Sequence, residues 1–121
     1  MNWRFSGGRP VYLQVMEQIQ GAVLSGEYTP GQKIPSVREL AAQAKINPNT
    51  MQHALQELER VGLLETKGTN GRYVTENREI LEQIRKESTK KLTAQYVRAF
   101  ATYGIDVPRM MELLREYQEG S

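Results

Sequence analysis

The chain has 121 residues, no cysteine and a formal net charge of +2. This length suits one small domain with an appended segment, and without cysteine neither disulfides nor thiolate metal sites can form. No apolar run reaches the length of a signal peptide or a membrane span, so we expect a cytoplasmic protein without membrane contact. Residues 1–75 carry eight basic and six acidic side chains, whereas the remainder carries eight of each. This surplus is too small to indicate nucleic-acid binding by itself.

The first predicted helix runs from Pro10 to about Ser25. Its apolar residues recur at helical spacing and give it one apolar face, formed by Val11, Val15, Ile19 and Val23. Gly26 is predicted to end this helix, and the Pro30-Gly31 pair that follows is typical of a turn.

A short second helix is predicted from about Ser36 to Ala44. Ser36 can cap it, and Glu39 lies three residues later, where it can complete a capping box. The apolar residues at helical spacing predict an inward face of Val37, Leu40 and Ala41.

A third helix is predicted from Pro48 to about Val61, after a tight turn. Asn47 can cap it, and Pro48 takes the first helical position, where its missing N–H costs nothing. Gly62 is the expected left-handed residue after the helix. The predicted core stripe consists of Met51, Ala54, Leu55, Leu58 and Val61. Together, the second and third helices predict a helix-turn-helix, a motif that places its second helix in the DNA major groove.

Two short strands are predicted next, over Leu63–Lys67 and Arg72–Thr75. The intervening Gly68–Gly71 turn contains Asn-Gly, the strongest short hairpin signal. Three helices and this hairpin predict a mainly α fold, a winged helix-turn-helix.

This pattern resembles the GntR family of bacterial transcription regulators, over roughly residues 9–76. The matching segments keep their order and spacing: Pro10–Gln14, Gly26–Gly31, Pro35–Ala41, Asn47–Thr50, Gly62–Leu64 and Gly71–Val74. The short tail and the Asn-Pro-Asn-Thr turn are similar to the YtrA-type subfamily. The resemblance implies a repressor that binds a palindromic operator in double-stranded DNA as a homodimer.

Nine residues are the candidate DNA contacts. Arg38 lies in the first turn of the second helix, where a guanidinium can reach a phosphate or pair with guanine. Amide side chains follow at the start of the third helix, and because amides pair well with adenine, we expect at least one A·T base pair in the contacted site. Lys67 and Arg72 flank the wing turn and can contact phosphates or the minor groove. The full set is Ser36, Arg38, Asn47, Asn49, Thr50, Gln52, His53, Lys67 and Arg72.

Residues 77–121 form a predicted two-helix segment after the DNA-binding domain of residues 1–76. One long helix is expected over residues 78–103, ended by Gly104, and Asp106 can cap a last helix. A symmetric operator favours a two-fold protein, so we expect this segment to dimerise. The predicted dimerisation residues are Leu81, Ile84, Leu92, Tyr96, Phe100, Tyr103, Met110 and Leu114.

Alternatives remain open at two points. The aromatic and methionine residues of the tail could line a cavity for an unidentified small-molecule effector, although packing explains them equally well. The domain could also be a winged-helix protein-interaction module without sequence-specific DNA binding. An enzyme is not expected, because no nucleophile–base pair or phosphate-cradling loop is present and His53 is the sole histidine. We predict no cofactor and no metal.

Overall fold

The computed structural model describes residues 1–120. Along this part of the chain the elements are α1 (Val11–Leu24), α2 (Val37–Ala44), α3 (Pro48–Arg60), β1 (Leu64–Thr66), β2 (Arg72–Val74), α4 (Arg78–Ala101) and α5 (Val107–Gly120). Each helix and strand predicted from the sequence is present, with bounds shifted by one or two residues. The fold is therefore the expected one, mainly helical with a two-stranded antiparallel hairpin.

The chain divides into two compact units, Met1–Glu82 and Gln83–Ser121. The first unit contains the three N-terminal helices, the hairpin and the start of α4. The transition therefore comes within α4, whereas the sequence predicted a boundary just before that helix.

The core of the first unit is formed where α3 packs against α1 and α2. Val15, Ile19, Leu40, Leu55 and Leu58 are all fully buried there. Burial of such aliphatic side chains is the main stabilising contribution in a domain of this size.

Two residues predicted to be in the core instead lie on the surface, one at the start of α1 and one just after α3. Val11 opens α1 and is 38% exposed, and Val61 follows α3 and is 37% exposed. Val11 is the first residue of α1 and Val61 comes directly after α3, so helical spacing alone does not bring burial at these helix ends.

The segment before α1 is held by a buried amide that the sequence analysis did not single out. Gln14 donates to the carbonyl oxygens of Ser6 and Arg9, at 2.9 and 3.0 Å, and accepts from the Ser6 N–H at 2.9 Å. One turn later, Gln18 exchanges hydrogen bonds with the backbone of Arg4. The polar groups of Gln14 are thereby satisfied, as a side chain that is only 6% exposed requires.

The hairpin has an additional extended neighbour on the β2 side. β1 and β2 pair with Leu64 opposite Val74 and Thr66 opposite Arg72. On the free edge of β2, Ile34 donates to the Arg72 carbonyl at 3.0 Å and Val74 donates to the Gln32 carbonyl at 2.9 Å. The segment that leads into α2 therefore fixes the wing from its other side.

Gly62 makes the sharp connection from α3 to the hairpin. Its φ is +88°, and a Cβ at this position would lie 3.1 Å from Cδ1 of Ile80 at the start of α4. The left-handed conformation predicted from the sequence is confirmed.

The second unit, described to residue 120, consists of most of α4 and of α5. Asp106 caps α5 by accepting from the Arg109 N–H at 3.0 Å. Arg109 pairs with Glu112 and Glu116 along the same helix, which raises the pKa of its guanidinium. Within the described residues, no helix is both long and apolar enough to cross a membrane.

Candidate nucleic-acid interface

The first predicted contact, Arg38, lies in a well-fixed helix start. Ser36 Oγ accepts from the Glu39 N–H at 3.2 Å, and the Glu39 carboxylate accepts from the Ser36 N–H at 3.3 Å, so the predicted capping box is present. The Glu39 carboxylate is engaged in this box. Arg38 is exposed and makes no ion pair in the described part of the chain, which leaves its guanidinium available to a ligand.

The turn between α2 and α3 depends on Lys45 and Asn47. Lys45 has a φ of +58°, a left-handed conformation that ends α2. Asn47 Oδ1 accepts from the Asn49 N–H at 2.7 Å and caps α3. This cap uses one lone pair of the Asn47 side-chain oxygen, so its NH₂ group is the part that stays fully available to another partner.

The centre of the exposed face of α3 is polar. Its residues recur every three or four positions and all are exposed: Asn49, His53, Gln56 and Arg60. Arg60 pairs with Glu57 at 2.7 Å. Thr50 and Gln52 lie at the margins of this face and are half-buried.

His53 has an aromatic partner that the sequence analysis missed. The rings of His53 and Tyr12 are stacked, with centroids 4.1 Å apart and an interplanar angle of 21°. Tyr12 lies in the first turn of α1, so this stack bridges α1 and the exposed face of α3. His53 stays exposed, with its imidazole ring lying against the phenol ring.

On the opposite margin, Gln52 joins α3 to the wing. Gln52 Oε1 accepts from Arg72 Nη1 at 3.4 Å, and Arg72 Nε donates to Glu59. Glu59 also accepts from the Thr66 hydroxyl at 3.0 Å. We call Gln52, Glu59, Thr66 and Arg72 the wing clasp. Glu59 was missed from the sequence, although its seven-residue spacing from Gln52 places both on one side of α3.

Lys67 is placed differently from Arg72. Its side chain is exposed and its ammonium lies 4.8 Å from the centroid of the Tyr73 ring. A cation held over an aromatic face at the surface keeps its charge accessible. Of the two predicted wing cations, Lys67 is therefore the accessible one.

An open groove of about 640 Å³ lies between the start of α2 and the wing. Its lining includes Tyr28, Lys33, Ser36, Asn70 and Arg72. Burial raises the pKa of the Tyr28 phenol and the neighbouring Glu27 raises it further, so the phenol remains a neutral hydrogen-bond donor near pH 7. Of the predicted contacts, Ser36 and Arg72 line this groove.

The predicted dimerisation residues fall into three groups by burial. Four are exposed: Leu92 by 50%, Tyr96 by 54%, Tyr103 by 83% and Leu114 by 53%. Leu81 and Phe100 are half-buried. Ile84 and Met110 are already buried within the chain, at 8% and 9% exposure, and have little area left for a partner.

A family model described as bacterial regulatory proteins, gntR family, matches residues 11–74. The chain belongs to the gntR family. Among relatives, it is 35% identical to the uncharacterized HTH-type transcriptional regulator YhcF of Bacillus subtilis, over 99% of each chain. It is also 35% identical to the HTH-type transcriptional repressor YtrA of the same species, over 88% of this chain and 83% of the relative.

Two solved structures have a similar fold. A GntR family transcriptional regulator from Listeria monocytogenes superposes with a TM-score of 0.83 at 31% identity, over 93% of this chain and 98% of that one. The DNA-binding domain of AraR in complex with operator ORX1 superposes with a TM-score of 0.57 at 31% identity, over 62% of this chain and 96% of that one. As a member of the gntR family, this chain is a transcription regulator with a winged helix-turn-helix.

Proposed function

We propose that the chain is a repressor that binds a two-fold symmetric operator as a homodimer. The observation that carries this proposal is the combined surface of α2 and α3, where exposed Arg38 and the exposed polar face of α3 follow two well-formed caps. Exposed polar groups at the start of the second helix of a helix-turn-helix are the groups that read base edges. The similarity to a repressor and to an operator-bound domain supports the same proposal.

Dimerisation is proposed through the second unit. Seven large apolar residues of this unit are substantially exposed in the single chain: Leu92, Tyr96, Tyr103, Val107, Met111, Leu114 and Tyr117. Clustered exposure of this kind in so short a segment is typical of a protein interface. A second copy is the proposed occupant, because two half-sites of a symmetric operator require two reading helices related by a two-fold axis.

An effector is not part of this proposal. The tail aromatics considered for a ligand cavity include Tyr96, Tyr103 and Tyr117, and all three are more than half exposed. None of these rings is therefore enclosed around a ligand-sized space in the single chain. Since the proposed ligand is bacterial DNA, we infer that the protein acts in the cytoplasm.

The test is selection of bound sequences from a random double-stranded DNA pool, followed by affinity measurements at two salt concentrations. We expect an enriched motif with two-fold symmetry and half-sites separated by about one helical turn, roughly 34–36 Å, or a multiple of it. The affinity should fall steeply with salt, because each neutralised phosphate releases counterions. Absence of an enriched motif together with a flat salt dependence would contradict the proposal and favour a protein-interaction module.

A further inference from the structure

The guanidinium of Arg72 is hydrogen-bonded to two side chains of α3. Its Nε donates to Glu59 and its Nη1 donates to Gln52 Oε1 at 3.4 Å, so β2 is tied to α3 at two points. The side chain of Arg72 is only 17% exposed, and that of Glu59 is 29% exposed. Glu59 is fixed in turn by the Thr66 hydroxyl.

This arrangement weakens Arg72 as a phosphate ligand. A phosphate binds a guanidinium through free N–H donors and through uncompensated positive charge. In the wing clasp, Glu59 neutralises the charge and two donors are occupied. Arg38 and Lys67 are exposed without an ion pair in the described residues, and they remain the better phosphate ligands.

The same arrangement orients Gln52. An amide side chain can present either its oxygen or its NH₂ group, but arginine has only donors. Arg72 therefore selects the rotamer in which Oε1 faces the wing and the Nε2 donors point away from it. Acceptors on base edges in the major groove, such as guanine O6 and N7 or thymine O4, suit these donors. A paired contact of Gln52 with adenine would require Oε1 to accept from the base as well as from Arg72, so the clasp favours contacts made through Nε2 alone.

We propose that Arg72 is a positioning residue for base readout, which fixes the Gln52 amide so that Nε2 donates to a base-edge acceptor. This inference rests on the proposed DNA-binding function. From its place in the wing, Arg72 was expected to contact a phosphate and to affect all sequences alike. The positioning role instead predicts an effect on specificity at one base pair.

The experiment compares the wild type with Arg72→Lys, Gln52→Ala and the double variant. Lysine keeps the positive charge beside Glu59 but lacks the planar fork that reaches Glu59 and Gln52 together. Affinities are measured on the duplex selected by the wild type and on duplexes changed at one base pair at a time. Discrimination is the ratio of the affinities for the selected duplex and for a duplex changed at one base pair. In each single variant this ratio should fall about fivefold to tenfold, and at the same base pair in both. The double variant should lose no more, and the salt slope should stay unchanged.

Lys67→Ala provides the matched comparison for a wing phosphate contact. It should weaken binding to all duplexes alike and reduce the salt slope by about one. If Arg72→Lys leaves discrimination at every position intact, or lowers affinity uniformly as Lys67→Ala does, the positioning role is wrong.

Gln52→Glu keeps the test decisive if Arg72→Lys does not fold. Its carboxylate can still accept from Arg72 but has no N–H to offer a base. It should lose the preference for an acceptor at the base pair affected by Gln52→Ala, and an unchanged preference would overturn the inference. If the wild type enriches no sequence at all, the proposed function itself fails. If it enriches a motif that these variants do not alter, only the role of Arg72 fails.

Discussion

At the residue scale, cations that look equivalent in the sequence differ in what they can bind. Arg38 is exposed, and the carboxylate beside it, Glu39, hydrogen-bonds in the capping box. Arg72 is paired with a carboxylate from a different element. A sequence predicts the first situation because the capping box is local, whereas the second depends on how the wing folds against α3.

Arg38→Ala should weaken DNA binding by about tenfold, since a charge-assisted contact to phosphate or guanine is worth about 1–3 kcal/mol. The measurement is titration of the selected duplex and its single-base variants at two salt concentrations. A uniform loss with a shallower salt slope would identify a phosphate contact, and a loss confined to one base pair would identify guanine.

Lys86→Ala is the control for net charge, because Lys86 is an exposed cation on α4. It should leave the affinity nearly unchanged. Equal effects of Arg38→Ala and Lys86→Ala would mean that only the overall charge matters and that Arg38 makes no specific contact.

At the element scale, the caps and turns were predictable because their signals lie within a few residues of each other. Ser36 and Glu39, the Asn47-Pro48 pair and Gly62 all occupy the predicted positions. The extended segment beside β2 was not predicted. It has no alternating pattern of its own, and its order comes from hydrogen bonds to Arg72 and Val74 and from burial of Ile34 in the core.

Gly62→Ala should reduce the free energy of unfolding by about 1–2 kcal/mol, because an L-residue at this φ is strained. The new methyl group would also press on Ile80. Urea denaturation at equilibrium measures the effect. Gly21→Ala is the matched control, because Gly21 lies within α1 with open space around it, and there the same change should stabilise by about 0.5–1 kcal/mol. Equal stability of Gly62→Ala and the wild type would contradict the strained connection.

At the scale of the whole molecule, the candidate DNA contacts all lie in the first unit, and seven of the exposed large apolar residues lie in the second. Within the first unit, α3 supplies both the buried core and the polar face. In the second unit, the predicted interface residues Ile84 and Met110 are buried within the chain. The exposed apolar residues of that unit are the ones that a partner could cover.

Leu92→Glu and Leu114→Glu should each shift the protein from dimer to monomer, because a charge placed in an apolar interface loses its hydration. Sedimentation velocity measures the change, and circular dichroism checks that the helices remain. Gln95→Glu adds the same charge at an exposed polar position of α4 and should stay dimeric. A wild type that sediments as a monomer at all concentrations would rule out dimerisation through this segment.

The sequence by itself determined the elements, their caps, the wing and the family, because all of these depend on periodicity and on short-range hydrogen bonds. Tertiary structure decided which polar side chains are free. Arg72 reaches Glu59 across 13 positions and Gln52 across 20, and Tyr12 meets His53 from another helix. Contacts between residues this far apart in sequence depend on how the helices and the hairpin pack on a shared core. No local sequence pattern predicts them.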